Sequence, residues 1–430
     1  MNKCFTFACG QGGTKACIAA INEGTILKDD FCVLNTTIKD VPMEYRDNAI
    51  LISDDINAGA GKIREAARKL MVNWIKENPN VIPAMIDNGE YQYINIVTTT
   101  EGASGSGASV VLAKFIESQL GLPVLITLIA GFEDEVRGIQ NTINYFKDLD
   151  GGNFTIRTVS NKKFLDKARN TFMAEKMANE DIAKAFKIIS AYDIIDSDQN
   201  IDDTDHYKLV TNPGMMFVTE VEIDRKLKNP DQFDKLISDA IDYNSSLDFE
   251  PSATKIGVFM NIQEDKLPLV DTNFTTIKTK LCGKNTVNEL FIHRQYDGTQ
   301  PEYVRIIASG MNLPKEELID LYTKYSNAKS SANNKSDNFF DAISGMDTTS
   351  TRETRTNNSS ADFFSQFDTD EDSPEDDMVL RRTKKRSFGT VSSTNDSNND
   401  TEAGTYEKKK GFTAKKSGEK KSYSEDTNGY

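Results

Sequence analysis

The chain of 430 residues has two histidines, five cysteines and one tryptophan. Two histidines leave little material for a zinc site, and Cys4, Cys9, Cys17, Cys32 and Cys282 form no CxxC or other metal-like pair. No metal site built from protein ligands alone is expected, and the compartment reads as reducing and cytoplasmic. Long hydrophobic runs are also missing. The longest, Leu122 to Phe132, falls short of the roughly 20 residues a helix needs to cross a bilayer, and the apolar stretch behind Lys3 is too short for an export signal. No membrane partner is expected. Nor is there an excess of positive charge: 51 Lys+Arg stand against 66 Asp+Glu, a net charge of -15. This argues against a whole-domain electrostatic grip on nucleic acid.

Apolar residues make up 38% of the chain and mean hydropathy is -0.51, so part of the chain is expected to stay unpacked. From Ser330 onward Ser, Thr, Asn and Asp dominate and apolar periodicity stops. Acid gathers in Asp368 to Asp377, base in Arg381 to Arg386 and Lys408 to Lys421, and two aromatic motifs interrupt the run, Asp337-Asn338-Phe339-Phe340 and Ala361-Asp362-Phe363-Phe364. Such a tail reads as disordered, either a solvated bristle or a docking arm for an acidic or nucleic-acid partner.

Ahead of the tail, apolar segments at 5–9, 31–34, 49–52, 93–97, 124–129 and 154–159 read as buried strands. Helical windows fall at 14–22, 62–77, 108–119 and 134–147, then a long one from Lys163 to Asp196 with a break near Asn170. Strand and helix in alternation predict an α/β fold with a mostly parallel sheet. Segments 213–223, 255–262, 288–295 and 302–309 read as strands of a second, smaller α+β unit closed by a helix from Lys315 to Tyr325.

Two glycine-rich segments each follow a predicted strand and open a predicted helix: Gly10-Gln11-Gly12-Gly13-Thr14 and Gly102-Ala103-Ser104-Gly105-Ser106-Gly107. A third, Asn57-Ala58-Gly59-Ala60-Gly61-Lys62, again precedes a helix. Such segments bring bare N–H groups and the positive end of a helix dipole to one point, where a phosphate is held; tight turns use glycine too. None is a Walker A, because no Gly-Lys-Ser/Thr closes it, and the first lacks the register of a dinucleotide fingerprint, with no acid ending the second strand. Three of them on one sheet suggest a nucleoside di- or triphosphate. Further on, Asn200-Ile201-Asp202-Asp203-Thr204-Asp205 reads either as an Asx-rich turn or as carboxylates that polarise a water for attack on a phosphate. The spacing alone does not choose.

Taken in order, these residues resemble the tubulin/FtsZ superfamily of filament-forming GTPases. Residues 102–107 are similar to the family's GGGT-G-[ST]-G loop, and Asn200-x-Asp202-x-x-Asp205 matches its N-x-D-x-x-D synergy loop. Asn161 falls in a segment resembling the IPND type, Asn179 where the core helix carries an Asn that reads guanine, and residues 302–310 resemble the late strand of the activation domain. The likeness spans roughly residues 1–328 and is greatest to the plasmid- and phage-encoded branch, TubZ-like or PhuZ-like.

The resemblance implies a GTP-binding domain over 1–170, a central core helix over 171–199, a synergy loop and activation domain over 200–329, and a disordered charged tail over 330–430. It implies GTP/GDP held by Gly10, Gln11, Gly12 and Gly13, by Gly59, Ala60 and Gly61 at the γ-phosphate, and by Gly102, Ala103, Ser104, Gly105, Ser106 and Gly107 at the diphosphate. Asn161 and Asn179 would hold guanine, and Mg²⁺ would neutralise phosphate charge. Asp202 and Asp205, with Asn200, would complete the site of the next subunit, so that GTP hydrolysis follows head-to-tail self-assembly into a homopolymer. In the TubZ type a basic tail engages a DNA-bound adaptor; Lys408–Lys421 would do so here, or meet DNA directly, in a bacterial or phage-infected cell. The expected function is segregating or positioning plasmid or phage DNA, against the alternatives of a division-ring protein or a non-hydrolysing scaffold of the same fold. Glu101, which replaces a glycine of the family loop with a negative charge, is the main support for the scaffold. A monomeric dinucleotide-dependent enzyme fits less well, for want of a ribose-binding acid.

Overall fold

A computed structural model describes residues 3–330, apart from 54–58, 88–89, 192–193, 196–199, 224–226 and 285. The expected tail from residue 331, with both aromatic motifs and Lys408–Lys421, lies outside the described residues, as do Asn57 and Ala58 of the third glycine-rich segment.

The described chain runs β1 (Cys4–Cys9), α1 (Gly10–Asn22), β2 (Phe31–Asn35), β3 (Ala49–Leu51), α2 (Arg64–Glu77), α3 (Val81–Asp87), β4 (Tyr93–Thr99), α4 (Ala103–Phe115), β5 (Val124–Ala130), α5 (Val136–Leu149), β6 (Phe154–Ser160), α6 (Asn161–Leu165), α7 (Thr171–Ser190) and α8 (Asp203–Val210). It continues through β7 (Gly214–Glu222), α9 (Pro230–Asp242), β8 (Lys255–Asn261), α10 (Thr275–Cys282), β9 (Glu289–Gln295), β10 (Tyr303–Met311) and α11 (Lys315–Ser330). Among the described residues no helix is long and apolar enough to cross a membrane.

The strands form one ten-stranded sheet in the order β3-β2-β1-β4-β5-β6-β7-β10-β8-β9. From β3 to β7 every pairing is parallel, and β10 runs antiparallel to both β7 and β8. The strands that the sequence assigns to a smaller unit, β7 to β10, extend the same sheet through a short parallel pairing of β7 with β6.

Helices cover both faces because the inner strands are apolar on both. Successive residues of a strand point to opposite sides, so Phe5, Phe7 and Cys9 of β1 enter one core while Ala8 enters the other. The first core is closed by α2 to α5 and α9 to α11, the second by α1 and α6 to α8. Each fully buried large side chain such as Phe7 or Phe146 contributes about 2 to 3 kcal/mol of transfer free energy. In the second core α7 buries Ala174, Ala178, Ala183 and Ala185, small residues that let it lie close against α1. The expected break near Asn170 is the N-terminus of α7: the Asn170 side chain accepts a hydrogen bond from the Met173 amide at 2.9 Å.

Several element boundaries differ from expectation. The helices expected to begin at residues 14 and 108 begin at Gly10 and Ala103, because the glycine segments are their first turns rather than loops before them. The helix expected to stop at Tyr325 runs on to Ser330, so Ser330, polar enough to read as tail, closes a helix.

Candidate functional site

A cleft of about 420 Å³ opens along the carboxyl ends of the parallel strands. It is lined by the residues that follow β1 (Gly10, Gln11, Gly12), β4 (Glu101 to Gly105), β5 (Gly131, Phe132) and β6 (Asn161), by Gly59 to Lys62 ahead of α2, and by Glu175 and Asn179 of α7.

Its floor is main chain. Gly10, at φ +71, turns β1 straight into α1, and the first turns of α1 and α4 meet there without side chains between them. Neither helix is capped by a side chain at its N-terminus, and neither carries an acidic residue in its first turn. The leading N–H groups and both positive dipole ends are therefore directed to one place. The Thr99 methyl fills the space beside Gly12, where an added Cβ would fall 2.2 Å from it. The Ser104 and Thr36 hydroxyls lie 2.7 Å apart and tie the start of α4 to the end of β2.

Most residues singled out in sequence meet here: Gly10, Gln11, Gly12, Gly59, Ala60, Gly61, Gly102, Ala103, Ser104, Gly105, Asn161 and Asn179 all line the cleft. Gly13, Ser106 and Gly107 do not. A Cβ on Gly13 would lie 2.2 Å from the Val97 carbonyl oxygen, and one on Gly107 would lie 2.4 Å from the Arg64 carbonyl oxygen. These glycines pack α1 on β4 and α4 on α2. Ser106 is fully buried and donates its hydroxyl hydrogen to the Gly102 carbonyl.

Asn200, Asp202 and Asp205 stand apart from the cleft. Asp202 caps α8, its side chain accepting from the Asp205 amide at 2.7 Å, and the Asp205 carboxylate lies 3.2 Å from the Lys208 ammonium. The Asx turn that the sequence offered as one of two readings is thus present.

Asn161 begins α6 immediately after β6 and is only 7% exposed. Its Oδ1 has no hydrogen-bond partner among the described residues. A buried acceptor left unpaired costs about 1 to 3 kcal/mol, and this one belongs to a residue that lines the cleft. Asn179 lines it too, half-buried on α7.

Glu101, the charge that replaces a glycine, is turned aside from the helix ends. Its carboxylate accepts the Glu133 amide hydrogen at 2.9 Å and lies over Gly131, where any Cβ would overlap it. Burial pushes its carboxyl above the usual range, while the amides of Glu133 and Phe132 pull the other way. The Asn141 amide holds the Glu101 carbonyl at 2.9 Å. Glu133 is itself a junction: its carboxylate pairs with Lys162 of α6 at 2.9 Å and with Lys324 of α11.

Sequence reasoning passed over four charged residues of the lining. Lys15 and Glu175 pair across α1 and α7 at 3.1 Å. Lys62 pairs with Glu135, which opens α5. Asp40 also lines the cleft, from the connection after β2. Lys62 was the one with a signal, since it directly follows a glycine-rich segment.

No family model matches the chain, and no curated protein matches it in sequence. Solved structures do resemble it. TubZ of the Clostridium botulinum phage c-st does so at TM-score 0.58 and 15% identity, over 77% of this chain and 99% of that one. A GTPγS-form protofilament of Bacillus thuringiensis serovar israelensis TubZ gives 0.62 at 15% identity, over 77% and 93%. The GDP-bound monomer of CetZ1 from Haloferax volcanii gives 0.62 at 15% identity, over 76% and 99%. The chain has the fold of these tubulin/FtsZ-type proteins, TubZ among them.

Proposed function

We propose that this chain is a GTP-dependent, filament-forming GTPase. The observation that carries the reading is the meeting of two uncapped helix N-termini, α1 and α4, in one glycine-floored cleft. Such an arrangement favours a di- or triphosphate without any basic side chain. At the other end of the cleft the unpaired Asn161 Oδ1 fits guanine, whose N1–H and exocyclic amine supply the donors it lacks. Asn179 contributes a second amide to the same end.

In this reading Gly10 to Gly12 and Gly102 to Gly105 hold the phosphates, and Gly13, Ser106 and Gly107 fix the helices from behind. Gly59, Ala60 and Gly61 face the terminal phosphate. Mg²⁺ bound with the nucleotide would neutralise phosphate charge. Of the lining carboxylates Asp40 would be the one to hold it, since Glu101 is engaged by a loop amide and Glu175 by Lys15. One carboxylate with phosphate oxygens and water is a ligand set that suits Mg²⁺.

Asp202 and Asp205, at the start of α8 and outside the lining of their own cleft, would polarise the attacking water in the cleft of the next subunit, with Asn200 beside them. A head-to-tail contact of this kind does not close, so it builds a filament. The protofilament form of TubZ among the similar structures supports the reading. Glu101 no longer favours a non-hydrolysing scaffold, because its carboxylate is bonded to the loop after β5. We assign the filament's cargo as plasmid or phage DNA in the cytoplasm of a bacterial or phage-infected cell, held through Lys408–Lys421 directly or by a DNA-bound adaptor.

The test is phosphate release from GTP per subunit as protein concentration is raised. A rate near zero below a threshold and rising above it is expected. A rate per subunit independent of concentration places the whole active site in one chain and sinks the two-subunit reading.

A further inference from the structure

Glu133 lies in the turn between β5 and α5, and it is tied through both its main chain and its side chain. Its amide hydrogen goes to the Glu101 carboxylate at 2.9 Å, and Glu101 sits in the turn from β4 into α4. Its own carboxylate, on a side chain only 9% exposed, takes the Lys162 ammonium of α6 at 2.9 Å and the Lys324 ammonium of α11. Lys162 is the neighbour of Asn161, at the base end of the cleft, and Phe132, the residue before Glu133, lines the cleft itself. Lys324 is not part of the lining. Through it the wall of the cleft reaches the last helix of the described chain.

The backbone of the turn depends on these ties. Glu133 stands at φ 61, a left-handed conformation that a residue other than glycine adopts at a cost and keeps only where its surroundings fix it. The nearly buried carboxylate needs its ammonium partners, because a buried charge left without them is expensive. On the far side, Leu318, Leu321 and Tyr322 of α11 pack into the same core as Ile139 and Ile143 of α5. The charged face of α11 is under opposing forces. Glu317 lies about two turns before Lys324 on that face; burial, then the charges of Asp248 and Glu133, push its carboxyl above the usual range, while Lys162 and Lys163 pull it down. Glu133 thus attracts α11 through Lys324 and repels it through Glu317, so a small displacement of the turn alters the hold on the helix.

We propose that Glu133 couples the nucleotide cleft to α11. A guanine nucleotide packed against Phe132 and Asn161 steadies the turn, and with it the Glu133 carboxylate and its hold on Lys324. Glu133 is a positioning residue, outside the lining, that acts on Phe132 and Lys162 on one side and on α11 on the other. The coupling runs both ways: whatever loosens α11 weakens nucleotide binding by the same factor. Residues 331–430 continue from α11, so the tail leaves from a helix that the cleft steadies. The proposal rests on the nucleotide reading of the cleft.

The test is amide hydrogen exchange of the full chain, below its assembly threshold, with and without GDP. GDP is expected to slow exchange in the first turns of α1 and α4 and, about fivefold, in α11, while α9, which contributes no residue to the lining, stays within twofold. Glu133→Gln should keep the response of α1 and α4 and lose that of α11. Lys324→Met, at a side chain 45% exposed, should lose it too and weaken GDP binding a few fold, with Lys324→Arg restoring both. An α11 that ignores GDP in the wild type, slows no more than α9, or responds as before in Glu133→Gln or Lys324→Met overturns the coupling while the nucleotide site stands. No slowing anywhere overturns the reading of the cleft itself, and the coupling with it.

Discussion

Gly10 and Gly105 touch backbone to backbone: a Cβ on Gly10 would lie 2.8 Å from the Gly105 nitrogen, and one on Gly105 would lie 2.7 Å from the Cys9 carbonyl oxygen. This contact sets how closely the α1 and α4 N-termini approach. Gly105→Ala should therefore cost about 1 to 3 kcal/mol of stability through overpacking and weaken nucleotide binding at least tenfold. Gly12→Ala, which meets only the Thr99 methyl, should be milder on both counts. Denaturant melts and a nucleotide titration measure the two effects separately.

Asn161 should divide stability from binding. Asn161→Leu removes a buried acceptor that has no partner, so the apo protein is expected to be as stable as wild type or more so, while guanine nucleotide affinity falls about tenfold. A variant that loses stability and affinity together would make Asn161 a structural residue.

Arg157 of β6 is 2% exposed by side chain and pairs with Asp181 of α7 at 2.6 Å. The Asp181 carboxylate also accepts the Ser245 hydroxyl hydrogen at 2.9 Å. Asp181→Ala leaves a buried guanidinium uncompensated, and such losses run about 3 to 5 kcal/mol. The double variant Arg157→Met with Asp181→Leu should recover most of it in urea melts.

His206 links acid stability to the helix that carries Asp205. Burial holds its pKa below 6.5, while the backbone of Ile189 and the charge of Asp203 pull upward. Because the folded value is the lower one, the stabilisation is complete above 6.5 and is lost as pH falls from there toward the folded value. Urea midpoints of the wild type should drop across that interval, and those of His206→Leu should not drop there.

Asp205→Ala should bind GTP and assemble with wild-type affinity but release almost no phosphate. Sedimentation and phosphate release on the same sample decide it, and filaments that turn over GTP normally without Asp205 remove its catalytic role.

The parallel strands were legible because burial on both faces makes them continuous apolar runs, as in Val124–Ala130. The start of α1 was not, since Gly10, Gly12 and Gly13 oppose helix formation by about 1 kcal/mol each, and only the close contact with α4 and β4 explains their place in a helix. The expected strands did not announce α9, although Asn229 and Pro230 form an N-cap with proline at the first position. In the cleft, the glycines could be read from their place between strand and helix, and both asparagines only from the resemblance of their segments to the tubulin/FtsZ pattern. Lys15, Asp40 and Glu175 could not, because isolated charges on exposed faces carry no periodic signal. From the sequence Glu101 is a bare charge near phosphate; its bond to the Glu133 amide joins segments with no local pattern in common.

A cradle made of peptide groups is also an economical thing to inherit. Every residue type but proline carries a backbone N–H, so what a sequence must supply on the floor of this cleft is the room for two backbones to touch, encoded by a few glycines and a strand order. The rest of the chain is at liberty to diverge around them. A fold shared at 15% identity asks for no more of the sequence in common than that.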